Sequence, residues 1–382
     1  MKVSFFSNYL THHQFPFCLE MIKIFGDDFK FIATQKIEEE RVAFGYEDMN
    51  NNKFVIRAYE NEREAYKLGY ESDIVIIGSA PTKYIYKRII NNKLTFRYSE
   101  RIFKNNFTIK SIKSYCSLLL KKSLFEKNVY LLCSSAFSCR DYNIALSYIG
   151  RCIKWGYFTE LKEYESIDKL IDKKINNSIL WAGRFLKWKH PELVIELANY
   201  LKNNNIDFKI QMIGDGELYP FIKECINKYE LNDNVELLGS MSPDKVRKFM
   251  EKSQIYLFTS DKGEGWGAVL NEAMNSGCSV ISNSMIGAAP FLINDSINGL
   301  LYLDKEDLFK KVDLLINDKK KIKNMGIEAY KTIKDKWNAK VAAERIVNIS
   351  NLILNGKDIK NEYVDGPCSK ASFLRNGWYE RK

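Results

Sequence analysis

Short apolar runs alternate with amphipathic stretches along most of this chain. In the first half, Lys2–Phe6, Phe29–Ala33, Asp73–Ile77 and Asn128–Ser134 have the unbroken hydrophobicity of strands buried on both faces. Tyr142–Ile149 is a further short apolar run. Between them the spacing predicts helices over Phe15–Phe25, Asn61–Leu68, Pro81–Ile90 and Ile109–Phe125. From Cys152 to Asn177 the chain turns polar and charged, which reads as an interdomain linker. A second set follows, with strands at Ser178–Ala182, Phe208–Ile213, Asn234–Leu238, Ile255–Phe258 and Cys278–Ser282. Its helices are expected at Pro191–Asn203, Leu218–Tyr229, Ser242–Lys252 (opened by a Ser-Pro cap and first turn), Ala268–Met274 and from about Lys305. A long helix, Asn338–Leu354, precedes a polar tail. Alternating strands and helices predict parallel βαβ units in two domains, 1–155 and 156–345, with 346–382 as a closing helix and tail.

Length and composition agree with two cores. The 382 residues exceed one ordinary domain, and 46% are hydrophobic. No apolar run reaches the ~18–20 residues of a membrane-spanning helix, and the N-terminus reads as a first strand rather than a leader. Eight scattered cysteines without a CxxC pair, and three histidines, point away from a structural zinc site or disulfide framework and toward a reduced cytoplasmic protein. The net charge of +10 is local: twelve basic and two acidic residues lie between Lys83 and Lys127.

The run GEGWGAVLNEAMNSG carries the strongest chemical signal. A glycine-bounded loop between a strand and a helix N-terminus receives anions on backbone N–H groups. Glu264 and Glu272 bracket that position, roughly 80° apart around a helix and about 12 Å apart along it. Carboxylates beside an anion site need neutral donors such as sugar hydroxyls. In an open parallel sheet the loops after the strands converge on the ligand. Here those loops are GRFLKWK, GDGE and the glutamate loop. Arg184 and Lys189 in the first supply a fork and a point charge suited to a diphosphate.

The segments WAGRFLKWKHPELVIELA, MIGDGEL, VELLGSMSPDKV, EGWGAVLNEAMNSG and INGLLY resemble, in order and spacing, the donor domain of glycosyltransferase family 4. The resemblance covers about 178–318. It implies the GT-B architecture, α/β with two Rossmann-like domains facing across a cleft, the C-terminal helix and tail crossing back onto the first. It further implies that Arg184 and Lys189, beside Gly183 and Gly214, hold the donor diphosphate. Glu264 would contact the transferred sugar, Glu272 the ribose, backbone near Met241 the nucleobase, and N–H groups of Gly267, Ala268 and Val269 phosphate. Contacts around Gly265 and Trp266 would govern the sugar. His190 departs from the pattern, since many relatives carry glycine there, and is expected to alter loop shape.

The first half departs further. The family's glycine-rich loop after the first strand is replaced by SNYLTHHQFPF, so His12 and His13 become candidates for binding sugar or phosphate or for moving a proton. Glu100 and Arg101, in FRYSERIFK, are acceptor-side candidates, with a surface ion pair as the alternative. The basic 83–127 segment suits an anionic membrane surface, or forms a core-facing helix with a solvated lysine face. No nucleic-acid-binding module is recognisable.

The expected function is retaining transfer of a sugar from a nucleotide-sugar, UDP-linked, to a glycan or lipid-linked saccharide in surface polysaccharide or glycoconjugate biosynthesis. No cofactor and no metal are expected, the cationic cluster replacing one, and the location expected is cytoplasmic or peripheral on the inner membrane face. A GT-B nucleotide-sugar epimerase and a non-catalytic nucleotide-sugar or glycan-binding subunit are the alternatives.

Overall fold

A computed structural model describes residues 1–39, 47–104 and 128–380. The chain forms two compact units, one from Met1–Glu160 with Trp337–Asn376, the other from Leu161–Lys336 with the segment from Gly377.

The first unit holds a seven-stranded parallel sheet in the order β3-β2-β1-β4-β5-β6-β7. Its strands are β1 Val3–Ser7, β2 Phe29–Ala33, β3 Val55–Arg57, β4 Ile74–Ile77, β5 Thr95–Ser99, β6 Val129–Cys133 and β7 Cys152–Lys154. Every residue of β1 and β4 is buried, as a parallel strand covered on both faces requires. Helix Glu62–Glu71 starts where Asn61 accepts from the Glu64 amide at 3.2 Å. The long helix Ala339–Leu354 packs on Phe15–Phe25. Beyond it, Cys368–Ala371 runs antiparallel along β7, the Lys154 amide donating to the Ser369 carbonyl at 2.7 Å. That pairing covers a sheet edge otherwise open to association.

The second unit holds six parallel strands in the order β10-β9-β8-β11-β12-β13. These are β8 Ile175–Ala182, β9 Lys209–Ile213, β10 Val235–Leu237, β11 Ser253–Phe258, β12 Ser279–Asn283 and β13 Leu300–Tyr302. This is the Rossmann order, and strand direction of travel reverses between β8 and β11, its topological switch point. Helices Pro191–Asn203, Tyr219–Lys228, Pro243–Lys252, Ala268–Asn275, Lys305–Ile316 and Lys319–Lys331 cover the sheet. The chain's end packs here too, Trp378 Nε1 donating to the Ser284 carbonyl at 3.0 Å and the Tyr379 hydroxyl to Asp295 at 2.7 Å.

Several sequence expectations are corrected. The apolar run Tyr142–Ile149 is not a strand: helix Ser138–Ile144 occupies its start, and positive φ at Leu146 and Tyr148 breaks any extended run. Pro81–Ile90 divides into a 3-10 turn, Thr82–Ile85, and a short helix, Tyr86–Ile90. The polar stretch read as a linker contains β7, helix Ile167–Asp172 and the start of β8, whose first two residues are exposed. Ser242 occupies the N-cap of Pro243–Lys252 without a side-chain cap bond, so Pro243 alone sets that start. The expected helix Ile109–Phe125 lies outside the described residues.

Candidate functional site

The loops after β8 and β11 lie side by side because those strands are neighbours. Buried Trp181 on β8 donates from Nε1 to Thr259 Oγ1 at 2.8 Å, and Thr259 Oγ1 donates to the Lys189 carbonyl at 2.6 Å. The Asp261 amide donates to the Trp188 carbonyl at 3.0 Å. Two backbones joined at three points hold their side chains in register. Lys189 Nζ consequently forms an ion pair with Glu264 Oε2, both side chains being mostly buried, and rests 4.3 Å from the Trp188 ring centroid.

Glu264 is asymmetric. Its Oε2 accepts from Lys189 and, at 3.0 Å, from Ser260 Oγ, whereas Oε1 accepts no hydrogen bond among the described residues. One oxygen is anchored and the other is available to a hydroxyl donor. Arg184 is exposed and has no ion-pair partner among the described residues.

Gly267, with φ +92°, caps helix Ala268–Asn275. A Cβ there would meet the Phe258 ring at 2.4 Å, so only glycine brings the helix N-terminus this close to the tip of β11. The first helical N–H groups, Ala268 and Val269 among them, lack intrahelical acceptors. Gly265 is buried beside them. Trp266 is a correction to the expected sugar contact: its indole is fully buried and donates to Asn271 Oδ1 at 2.9 Å. The ring fixes the loop from beneath, and no face of it is presented to a ligand.

Glu272, one turn inside the helix, has neither oxygen hydrogen-bonded among the described residues. Burial without donors pushes its carboxyl up to about 7, with the Arg247 guanidinium acting in the opposite direction. Arg247 is itself tied to Asn275 Oδ1 at 2.7 Å.

The GDGE loop zips onto GRFLKWK, with the Gly183 amide donating to the Ile213 carbonyl at 3.0 Å and the Phe185 amide to the Asp215 carbonyl at 2.9 Å. Gly214, at φ +134°, permits this: a Cβ would stand 1.9 Å from the Gly183 carbonyl oxygen. Met241 follows the tip of β10, half-buried.

His190 does more than shape its loop. At φ +51° it holds a left-handed conformation that explains why glycine suits the position. Its ring approaches Glu192 at 2.6 Å and Asp261 at 3.3 Å, joining the two loops. The bond to Glu192 is the main cause of its raised pKa. Ser260, Asp261 and Thr259 were not singled out from sequence, where a TSD triplet after a strand looks like ordinary turn chemistry.

In the first unit, His12 and His13 follow β1 with ring centroids 3.7 Å apart. His13 stacks parallel to Tyr157 at 5.8 Å, and the Tyr157 hydroxyl donates to Glu100 Oε1 at 2.5 Å. Lys104 also pairs with Glu100. Tyr157, invisible as a site residue in sequence, therefore joins the histidine loop to the end of β5. Arg101 is a second correction: it is 3% exposed, stacks over Phe137 and faces Asp141 at 3.8 Å. Asp141 also accepts from the Ile102 and Phe103 amides at 3.0 Å. Arg101 is thus a buried structural cation, neither an acceptor contact nor a surface partner of Glu100.

Two parallel Rossmann-like sheets, one in each unit, define the GT-B class of α/β proteins. Residues 163–332 match the family model described as "Glycosyl transferases group 1". An uncharacterised glycosyltransferase of Methanocaldococcus jannaschii is 28% identical over 274 residues, covering 69% of this chain and 64% of its own length. The phosphatidylinositol N-acetylglucosaminyltransferase gpi3 subunit of Schizosaccharomyces pombe is 29% identical over 183 residues, covering 48% of this chain and 40% of its own. The chain thus spans less than two thirds of these relatives. Among solved structures, HepE of Anabaena in complex with UDP shares the fold, with a TM-score of 0.66 at 16% identity over 93% of this chain and 99% of its own.

Two outcomes follow from this geometry. Gly214→Ala forces the two loops apart, and its unfolding free energy should fall by roughly 2–4 kcal/mol in denaturant titration. Vicinal hydroxyls donating to Glu272 favour its ionised form and lower its pKa from about 7. A bound nucleoside diphosphate should then release protons near neutral pH, seen as buffer-dependent heats in calorimetry, and bind more weakly as pH falls below 7. Proton uptake, or heats independent of buffer, contradicts the assignment of Glu272 to the ribose.

Proposed function

We propose that the protein is a retaining glycosyltransferase that moves a sugar from a UDP-linked donor to a hydroxyl on a glycan or lipid-linked saccharide. The observation that carries this reading is the half-satisfied Glu264: Lys189 and Ser260 hold one oxygen, leaving the other open beside the Gly267 helix start. UDP as the nucleotude carrier is supported by the Anabaena structure, which was solved with UDP. A glycoconjugate acceptor is supported by the name of the Schizosaccharomyces relative.

In this reading Arg184, Lys189 and the N–H groups from Gly267 to Val269 hold the diphosphate. Glu264 accepts from the transferred sugar, Glu272 from the ribose, and backbone near Met241 meets the base. The sugar's bond to phosphate breaks as the acceptor oxygen bonds to the same face of the sugar carbon. The acceptor proton passes to the departing phosphate oxygen, so no separate strong base is required. The cations and helix N-terminus stabilise the charge that builds on that phosphate. His12 and His13 are assigned supporting roles in turnover, and the reading includes no resident metal.

We further assign the first unit's exposed Tyr86 (51%) and Ile90 (55%), with Lys83 and Lys87, to an anionic membrane surface. The rest of the basic segment, 105–127, lies outside the described residues. No described helix is long and apolar enough to cross a membrane.

UDP should raise the thermal midpoint, a stabilisation of about 2.7 kcal/mol at a hundredfold excess over Kd. Glu264→Ala should lower turnover by about 10²–10³-fold, and EDTA should leave turnover unchanged. A panel of nucleoside diphosphates and their sugars that leaves the midpoint unmoved overturns the donor reading; donor consumed without any acceptor favours an epimerase. For the membrane surface, Lys83→Glu with Lys87→Glu should reduce co-sedimentation with phosphatidylglycerol vesicles. Equal sedimentation of variant and wild type rejects that surface.

A further inference from the structure

A polar groove lies on the outer helices of the second unit. Glu196, Asn199, Tyr200 and Asn203 fall at i, i+3, i+4 and i+7 of helix Pro191–Asn203 and so form one face. Opposite them stand Lys305 and Phe309 of helix Lys305–Ile316, with Tyr229 closing one end. Together they line a groove of ≈ 430 Å³, within the size range of small-ligand sites. A helix packed into a core would carry apolar residues on such a face. This one carries a carboxylate, two carboxamides and a phenol.

We propose that this groove binds a neutral saccharide chain. The Tyr200 and Phe309 rings stack at 5.1 Å and 29°, giving a half-buried aromatic platform suited to the C–H face of a sugar ring. Beside it, the side-chain amides of Asn199 and Asn203 and the hydroxyls of Tyr200 and Tyr229 take no hydrogen bond among the described residues. Each amide offers two donors and an acceptor, the inventory that vicinal hydroxyls match. Charge narrows the class of ligand. Glu196 and Lys305 neutralise one another at 3.1 Å, so nothing in the groove favours a phosphate or a nucleic acid. The polar helix face is equally unsuited to an apolar peptide.

The groove is separate from the donor loops. Glu196 lies about 9 Å along the helix from His190, and Asn203 about 20 Å. A chain lying there is held along the outer helices, away from Glu264. That the chain is a glycan acceptor rests on the glycosyltransferase reading; that the groove binds saccharide does not.

The test uses the full-length protein with neutral tetra- to hexasaccharides of glucose, galactose and N-acetylglucosamine, followed by saturation-transfer NMR and calorimetry. At least one should bind wild type. The Asn199→Ala, Asn203→Ala double variant, altered at accessible positions, should weaken it about tenfold. Tyr200→Phe, which retains the stack, should cost less than Tyr200→Ala. UDP-induced stabilisation should be equal in all of them. Saccharide binding untouched by the groove variants, or none to wild type that responds to UDP, overturns this inference while leaving the donor reading intact. Saccharide binding that depends on the groove, in a protein that ignores every nucleotide, upholds it and removes the donor reading.

Discussion

The adjacency of β8 and β11 is the constraint on which the candidate site depends. Parallel strands separated in sequence by a second crossover become neighbours only at the point where the sheet reverses its order of winding. There two strand tips from distant segments release loops in contact. Trp181, Thr259 and the Lys189 carbonyl then form a relay that ties one loop to the other. The Lys189–Glu264 pair is a consequence of that register, and so is the accessibility of the remaining Glu264 oxygen.

Glycine and histidine do opposite jobs around this constraint. Gly214 and Gly267 let backbone and helix approach to distances at which a Cβ is excluded. His190 accepts a left-handed backbone and offsets its cost with a ring that bridges Glu192 and Asp261. Backbone thus fixes the crossing of the loops, and His190 adds a side-chain tie between them.

Burial sorts the charged residues into different roles. Arg88, with no exposed surface, donates to the carbonyls of Ser72, Asp73 and Leu94 and stitches β4 to β5. Arg101 and Asp141 are similarly internal. Glu272 is the exception, a partly buried carboxyl with no hydrogen-bond donor among the described residues of the second unit.

Pattern alone determined much of this protein. Buried parallel strands are continuous apolar runs, so Phe29–Ala33, and helices such as Phe15–Phe25 and Pro191–Asn203, were legible to the residue. The glycines and glutamates of GEGWGAVLNEAMNSG likewise announced a strand, a tight loop and a helix start. What the tertiary structure decided was which polar atoms have partners. Trp266 and Arg101 look like ligand contacts in a one-dimensional reading, yet burial assigns both to the interior. Ser260, Asp261 and Tyr157 look ordinary, yet the packing of distant segments gives each a place beside a candidate residue. Local periodicity records what a residue buries, because burial repeats with the turn of a helix or the pleat of a strand. Hydrogen-bond partnership depends on chain segments far apart in sequence, and no local pattern encodes it.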